Sequence, residues 1–319
     1  MYTLVCAQSG ETNINHVCDI LKSNGAKPLL FERYRRDHFV TYTYTDNKIE
    51  GLLKIEGTAY PLRSDVFPAV WFRIKPVIAS EIPGEKSNIN EKFCTHEWKH
   101  VLTTLDIFLE DSKWINKIGV SQKYSCKAQQ LKLALECGLT IPNTMITNNS
   151  RDVFNLFSTG KVIYKTLSSF FTAKEAIFTN LISPSIVMDN QESIAMAPGI
   201  FQNMVEKDHE LRVTVVGEKI FTVKINSQKN KKTSIDWRLH PYEEMYEESI
   251  LSNDTTKKLL AFHSKADLVY ASYDFIVDKH GNEVFLECNP SGQWLWLEQF
   301  SKSSVAEAIA LELKGTYNA

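Results

Sequence analysis

The chain has 319 residues, of which 43% are hydrophobic and 23% are charged, proportions typical of a globular protein with a sizeable core. Its 36 Lys and Arg residues nearly balance its 38 Asp and Glu residues, and the net charge of −2 excludes the strongly basic class of nucleic-acid binders. No apolar stretch approaches the ~20 residues that span a bilayer, and the first residues lack the basic flank of a signal peptide. We therefore expect a soluble, cytoplasmic protein with no nucleic-acid or membrane partner.

The six cysteines are dispersed along the chain and form no C-x-x-C pair. A chain of this length can build a core without disulfide bonds, so we expect all six thiols to be reduced. The histidines and cysteines also lack the spacing of zinc ligands, which argues against a structural zinc site.

Predicted elements in the first third of the chain indicate an α/β domain. A strand, a helix and a second strand open the sequence, and this β-α-β order favours parallel pairing. The predicted elements are strands over 4–7, 27–31, 39–44, 51–55 and 70–73 and helices over 15–23 and 91–109. A turn at 111–113 places the first domain boundary near residue 112.

The remaining two thirds mix helices and strands, which predicts an α/β (α+β) fold class for the whole chain. The predicted elements are helices over 125–137 and 255–268 and strands over 162–165, 199–205, 211–216, 219–225, 270–277 and 283–287. Gly217 and Glu218 form a tight hairpin turn between two of these strands. The sequence contains no internal repeat and no low-complexity tract.

The most informative segment is a predicted hairpin near the C-terminus. Strand alternation places Glu287 and Asn289 on one face of its second strand, and Asp274 lies on its first strand. Two carboxylates and an amide oxygen from adjacent strands suit Mg²⁺, which takes phosphate oxygens as further ligands. Acidic residues on a hairpin more often form a solvated face, but the apolar neighbours Phe285 and Leu286 weaken that alternative.

An Asp on one strand followed by Glu-x-Asn-Pro on the next resembles the metal-binding signature of ATP-grasp ligases. The resemblance implies an ATP-grasp fold, ATP and Mg²⁺ as cofactors, and Asp274, Glu287 and Asn289 as metal ligands. It also implies three domains. These are an N-terminal pre-ATP-grasp domain over 1–112, a central ATP-grasp subdomain over 113–198, and a C-terminal ATP-grasp subdomain with the metal site over 199–319.

Further positions that resemble the family's nucleotide site occur in the family's order. Lys127 and Lys165 are similar to its two phosphate-contacting lysines, Glu210 to its ribose-binding acid, and Arg212 to its arginine near the transferred phosphate. The stretch that resembles the adenine-reading hinge contains Gln202, Asn203, Met204 and Val205. Many relatives carry glutamate where this chain has Asn203, but readout of adenine by the backbone does not need that side chain.

Each of these residues also has an ordinary structural interpretation. A lysine taken singly is usually a surface residue, and Arg212 could form a structural pair with Glu210, two residues away on one face of a strand. Lys165 is unusual because it follows an apolar strand, where a buried ammonium group needs a partner. The joint order and spacing of the positions therefore carry more weight than any one of them.

A narrower resemblance is to the graspetide synthetases, the microviridin-type peptide-cyclising ligases. The segment Asn289-Pro-Ser-Gly-Gln-Trp-Leu-Trp-Leu-Glu298 resembles their C-terminal signature, and Val70-Trp-Phe-Arg73 resembles a Trp-Tyr-Arg-Arg stretch of their N-terminal domain. Ile74 replaces the second arginine of that stretch. A segment ending in Arg238 resembles the family's sequence after the central hairpin, and this arginine is the candidate for holding the substrate carboxylate or acyl phosphate.

The family implies that ATP phosphorylates Asp or Glu side chains of a ribosomal precursor peptide with leader and core segments. Attack by Ser or Thr hydroxyls then gives ω-ester macrolactone links, and the enzyme is expected to be a homodimer. Three alternatives stay open: a macrolactam-forming ligase that uses Lys, an ATP-grasp ligase that adds an amino acid to a protein or small molecule, and a non-enzymatic nucleotide sensor. The sequence leaves open the precursor, the number and order of rings, and the leader-binding groove.

Overall fold

The computed structural model of the protein describes residues 1–74, 88–167, 179–229, 243–301 and 303–314. The chain forms two compact units. The first comprises Met1–Ser121, Leu268–Tyr270 and Ser304–Ala319, and the second comprises Gln122–Asp267 and Ala271–Ser303. The finer division at residues 112 and 198 stays a prediction. Among the described residues, no helix combines the length and the apolar character that a membrane crossing requires.

The elements that begin in the first 121 residues are β1 (Thr3–Cys6), α1 (Thr12–Ser23), β2 (Pro28–Phe31), β3 (His38–Thr45), β4 (Lys48–Ile55), β5 (Thr58–Pro61), β6 (Ala69–Phe72), α2 (Asn88–Thr103), α3 (Leu105–Phe108), β7 (Lys113–Ile115) and α4 (Ile118–Tyr124). Those that follow, up to Asp189, are α5 (Lys127–Glu136), β8 (Thr144–Thr147), α6 (Ser150–Leu156), β9 (Val162–Lys165), β10 (Asn180–Ile182) and α7 (Pro184–Asp189). The remaining elements are α8 (Gln191–Met196), β11 (Gly199–Asn203), β12 (Lys207–Val216), β13 (Lys219–Ile225), β14 (Tyr246–Ser249), α9 (Asn253–Lys265), β15 (Tyr270–Asp278), β16 (Glu283–Asn289), α10 (Leu295–Glu298) and α11 (Val305–Lys314).

The first unit contains a parallel sheet in the order β2-β1-β6-β7. All four residues of β1 are buried, which explains its continuous apolar character, and α1 connects it to β2 as the β-α-β pattern predicts. Strands β3, β4 and β5 form a separate antiparallel sheet. The predicted helix over 91–109 is divided in the structure, because α2 ends at Thr103 and α3 begins at Leu105.

The second unit contains two sheets. One has four strands in the order β10-β9-β11-β8, and the other has five strands in the order β14-β13-β12-β15-β16. Helix α9 begins two residues before its predicted start, because the Ser252 side chain caps it by accepting the Thr255 backbone N–H at 3.2 Å. Large buried aromatic side chains, among them Phe262, Tyr273 and Phe285, pack behind the β15–β16 hairpin. This packing leaves the other face of the hairpin for polar groups.

Candidate active site

A register shift in the β15–β16 hairpin sets the faces of its acidic residues. Asp274 pairs with Glu287 and Phe275 pairs with Phe285, so Leu286 is an extra residue that forms a β-bulge. Directly opposite residues point to the same face of an antiparallel pair. Asp274 and Glu287 therefore share one face, whereas the rings of Phe275 and Phe285 lie 5.6 Å apart in the buried core.

The predicted third ligand lies on the same face as the two carboxylates. Asn289 pairs with Ser272, two residues from Asp274, and its side chain is exposed. Its Oδ1 accepts the Ser291 backbone N–H at 3.0 Å, which orders the turn after β16 and leaves the amide oxygen a second lone pair. The donor set of two carboxylates and one amide oxygen fits Mg²⁺, and its role as a metal site stays a prediction.

Arg212 forms an ion pair with the first carboxylate. Its NH1 donates to Asp274 Oδ1 at 2.8 Å, and its NH2 donates to the Gln293 carbonyl at 3.4 Å. The arginine is 9% exposed, and it lies on β12, next to β15 in the sheet. The sequence left open a structural pair between Arg212 and Glu210. In the structure Arg212 pairs with Asp274 instead.

Gly292 allows the turn after β16 to approach this ion pair. A Cβ built at Gly292 would lie 2.6 Å from Ser272 Cβ and 2.8 Å from Arg212 NH2. Real Cβ atoms do not come that close, so any side chain would push the turn, the strand or the guanidinium away. The glycine in the Asn-Pro-Ser-Gly-Gln-Trp sequence is therefore required by close packing.

Lys127 contacts both Glu287 and the segment that follows a strand of the four-stranded sheet. Its Nζ donates to the Thr166 carbonyl at 2.9 Å, just after β9, and lies 3.9 Å from Glu287 Oε2. The lysine is the first residue of α5, so the helix N-terminus lies close to Glu287 as well. The Lys127 side chain is 23% exposed and that of Glu287 is 31% exposed, which leaves a positively charged atom within reach of a bound anion.

Lys165 and the predicted hinge lie on adjacent strands of the four-stranded sheet. Lys165 Nζ donates to Gln202 Oε1 at 3.0 Å, and Gln202 Nε2 donates to Thr144 Oγ1 at 2.7 Å. The Asn203 side chain accepts from Thr159 Oγ1 at 2.8 Å and donates to the Leu156 carbonyl at 3.1 Å. The Asn203 side chain therefore holds the segment before β9 in place, and both ends of its amide are already used in that contact.

The backbone of the hinge is only partly used by the protein. The Asn203 N–H donates to the Asn143 carbonyl at 2.9 Å, and the Met204 N–H donates to the Lys161 carbonyl at 2.8 Å. Val205 follows directly, outside any strand, and no hydrogen bond among the described residues takes its N–H. That donor suits the edge of a planar heterocycle.

The Glu210 side chain is only 12% exposed, and one of its oxygens, Oε1, accepts two hydrogen bonds. It accepts hydrogen bonds from Lys207 Nζ and, at 2.9 Å, from Ser227 Oγ. Burial raises the pKa of the Glu210 carboxyl, while Lys207 and Ser227 act in the opposite direction and the charge of Asp274 adds to the rise. A ribose hydroxyl would have to share this carboxylate with Lys207, a buried partner that the sequence reasoning missed. Its signal was Lys207 three residues before Glu210, beside an apolar strand.

The remaining candidate, Arg238, lies outside the described residues, as does the segment around it. The structure thus brings together Asp274, Glu287, Arg212 and Lys127 through direct contacts. It places Lys165 beside Gln202, and it places Glu210 in a separate cluster with Lys207 and Ser227. Paired carboxylates with counter-cations and a nearby second lysine are suited to holding a metal-bound polyphosphate.

Comparisons with known proteins bear on the fold of the chain. No protein-family model and no curated protein sequence matches the chain. Among solved structures, the chain is 27% identical to macrocyclase MdnC bound with precursor peptide MdnA from Microcystis aeruginosa MRC, with 99% and 100% of the two chains covered and a TM-score of 0.84. It is 24% identical to a Chryseobacterium gregarium RiPP-associated ATP-grasp ligase in complex with ADP and a leader and core peptide, with 99% and 97% covered and a TM-score of 0.82.

A third similar structure is ATP-grasp ligase PsnB complexed with minimal precursor, Mg and ADP. This chain is 18% identical to it, with 99% and 98% of the two chains covered and a TM-score of 0.76. The likeness covers the N-terminal α/β part as well as the two sheets of the second unit, so the predicted fold class is confirmed. The chain therefore has the fold of these ATP-grasp ligases, and its similarity to the macrocyclase MdnC supports the predicted resemblance to the graspetide synthetases.

Proposed function

We propose that this chain is an ATP-dependent ligase that cyclises a ribosomal precursor peptide through ω-ester links. The observation that carries the proposal is its likeness to MdnC, a macrocyclase bound with a precursor peptide, over the whole of both chains. The paired carboxylates and cations described above supply groups that such a reaction needs. ATP and Mg²⁺ are the cofactors, and the peptide binds through its leader and core segments.

The chemistry begins with transfer of the γ-phosphoryl group of ATP to an Asp or Glu side chain of the peptide, which gives an acyl phosphate and ADP. A Ser or Thr hydroxyl then attacks the acyl carbon, loses its proton, and expels phosphate. The peptide loses one water per ring. A free carboxylate resists this attack because its charge repels nucleophiles and oxide is a poor leaving group, and phosphorylation removes both obstacles.

Different residues of the chain bind the phosphates, the ribose, the base and the metal ion. Lys127 and Lys165 bind the phosphates, and Arg212 offsets charge at the transferred group while fixing Asp274. Glu210 holds the ribose, and the 202–205 hinge, through backbone groups such as the Val205 N–H, holds the base. Asp274, Glu287 and Asn289 hold Mg²⁺. The bound ion supplies neutralisation of phosphate charge.

Arg238 is assigned to the peptide carboxylate and to the acyl phosphate that replaces it. A guanidinium suits both groups, because its two parallel N–H donors match two oxygens at once. The assignment rests on the sequence resemblance alone. The homodimer and the cytoplasmic location are proposed on the same basis.

The alternatives differ in the nucleophile. A Lys amine on the same peptide would give a macrolactam, and a free amino acid would give an ordinary peptide or amide product. The likeness to a chain bound with a precursor peptide favours a peptide substrate over the free amino acid. The ester is preferred over the amide on family resemblance.

Mass spectrometry tests the proposal directly. A candidate precursor, encoded beside the gene and rich in Thr, Ser, Asp and Glu, is incubated with the protein, ATP and Mg²⁺, with the Glu287→Gln variant as control. Successive losses of water that mild base reverses establish esters, and base-stable losses establish lactams. Release of ADP with free amino acids, and no loss of water from the peptide, would overturn the macrocyclase assignment.

A further inference from the structure

A buried amide side chain, Gln130, lies directly behind the carboxylate-bearing strand. It is on α5, one turn after Lys127, and it is 2% exposed. Leu133 and Ala134 follow it on the buried stripe of the helix, so a polar residue occupies an apolar position. A buried amide is costly unless its hydrogen bonds are made, and the position therefore calls for defined partners.

Gln130 uses both ends of its amide on the same residue of β16. Its Oε1 accepts the Cys288 N–H at 2.9 Å, and its Nε2 donates to the Cys288 carbonyl at 2.7 Å. The second Nε2 hydrogen is directed to the Tyr124 carbonyl at 2.6 Å, just before α5. The side chain thus copies the pair of bonds that a neighbouring strand would make.

The contact between Gln130 and Cys288 lies at an edge of the five-stranded sheet, where backbone groups have no neighbouring strand. Strand β16 is at the edge of the five-stranded sheet, with β15 on one side only. Cys288 turns its N–H and carbonyl away from β15 toward Gln130, because both backbone groups of one residue in an antiparallel strand point to the same side. Without Gln130, this edge would hold two buried polar groups with no partner.

Cys288 stands between Glu287 and Asn289, two of the three proposed metal ligands. A clamp on the backbone of Cys288 therefore fixes the direction in which both neighbouring side chains leave the strand. The same helix carries Lys127, whose Nζ lies 3.9 Å from Glu287 Oε2. One rigid turn of helix thus links the phosphate-facing cation to the strand that carries the carboxylate.

We propose that Gln130 is a positioning residue for the metal site, through its clamp on Cys288. The inference rests on the proposed function, because it takes Glu287 and Asn289 as ligands. Residues that support metal ligands without touching the ion typically change metal affinity by about 10–100-fold when they are removed. The inference predicts an effect of that size at a position that contacts neither metal nor nucleotide.

The protein offers a matched control in Asn116, which makes the same kind of clamp elsewhere. Asn116 is 3% exposed, and its Oδ1 accepts the N–H groups of Val269 and Tyr270 at 2.8 and 2.9 Å. Its Nδ2 donates to the Tyr270 carbonyl at 2.6 Å. Asn116 holds the start of β15, four residues before Asp274, and neither Val269 nor Tyr270 is next to a proposed ligand in the sequence.

The test compares Gln130→Met and Asn116→Leu with the wild type. Mn²⁺, used as a probe in the presence of ADP, is titrated into each protein and followed by electron paramagnetic resonance, with thermal unfolding measured in parallel. We expect both variants to melt earlier. Only Gln130→Met is expected to weaken Mn²⁺ binding, by about tenfold or more, and to lower kcat with little change in KM for the peptide.

The outcomes separate this inference from the proposed function. Mn²⁺ binding to Gln130→Met within twofold of wild type, or an equal loss in Asn116→Leu, would overturn the positioning role. A wild-type protein that binds no Mn²⁺ with ADP would instead overturn the metal assignment itself. If Gln130→Met does not fold, Gln130→Asn provides the same test, because it keeps a neutral amide but is one methylene shorter and cannot make the same bonds to Cys288.

Discussion

The two sheets of the second unit hold their polar groups in different ways. In the five-stranded sheet, Asp274 faces Arg212 at 2.8 Å, Glu287 faces Lys127, and Glu210 faces Lys207. In the four-stranded sheet, Lys165 contacts the neutral amide of Gln202. Charges on the five-stranded side are thus matched inside the protein. Removing Arg212 takes the 2.8 Å partner away from a carboxylate, whereas removing Lys165 takes the 3.0 Å partner away from a neutral amide.

The largest effect is expected from Glu287→Gln. This change removes one negative charge but keeps the shape, so we expect turnover to fall by about 1000-fold. The melting temperature is expected to change little, because Lys127 lies 3.9 Å from Glu287 and keeps its bond to the Thr166 carbonyl. Turnover is measured from cyclised precursor by mass spectrometry. Glu283→Gln is the control, because Glu283 lies on the same strand and bonds Ser252 instead of a cation. Near wild-type turnover in Glu287→Gln would show that Glu287 is not a metal ligand.

The second-largest effect is expected from Arg212→Met, and it is an effect on stability. The substitution leaves Asp274, whose side chain is 19% exposed, without its cation, and we expect the free energy of unfolding to fall by about 3 kcal/mol. Urea denaturation measures this loss. The double variant Arg212→Met/Asp274→Asn is expected to recover part of it, because the buried charge is then removed. No recovery in the double variant would mean that the pair is not coupled.

A smaller loss, about 2 kcal/mol, is expected from Gly292→Ala. The added methyl group would enter the space held by Ser272 and Arg212, so we also expect slower turnover. Gly119→Ala is the control, because a Cβ at Gly119 meets nothing within 4 Å and the residue lies in α4. Equal effects of the two substitutions on the urea midpoint would contradict the close-packing account.

The smallest effect is expected on the four-stranded side, from Lys165→Met. Gln202 keeps its bond to Thr144, so we expect stability to change by less than about 0.5 kcal/mol. We expect KM for ATP to rise about tenfold, because a charged contact to phosphate is lost. Steady-state ADP release measures KM. A destabilisation as large as that of Arg212→Met would break the contrast between the two sheets.

Sequence reasoning recovered the local parts of this arrangement. Period-2 patterning and turn residues located β15 and β16, and alternation placed Glu287 and Asn289 on one face, which the pairing confirms. The β-α-β opening was found for the same reason, since it needs only neighbouring elements. Contacts between distant positions were not accessible in this way. Arg212 meets Asp274 across 62 residues, and a single sequence carries no signal that pairs them.

Three misses have a physical cause that can be seen in retrospect. The break at Thr104 follows a long apolar stripe, and periodicity does not reveal where a helix changes direction. The bulge at Leu286 does leave a trace, because Val284, Phe285 and Leu286 are three consecutive apolar residues, which interrupts the alternation of a half-buried strand. Gln130 left a trace of the same kind, a polar residue within an apolar stripe.

The bulge at Leu286 also determines where this strand can change its length. Pairing is in register on both sides of Leu286, with Phe275 opposite Phe285 and Asp274 opposite Glu287. Deleting Leu286 would close the bulge and leave both pairings as they are, whereas a deletion between Glu287 and Asn289 would rotate one ligand into the core. The loss of Leu286 is therefore compatible with an intact site. A relative that lacks this one residue can still present the same ligands, and a sequence alignment can place a gap there.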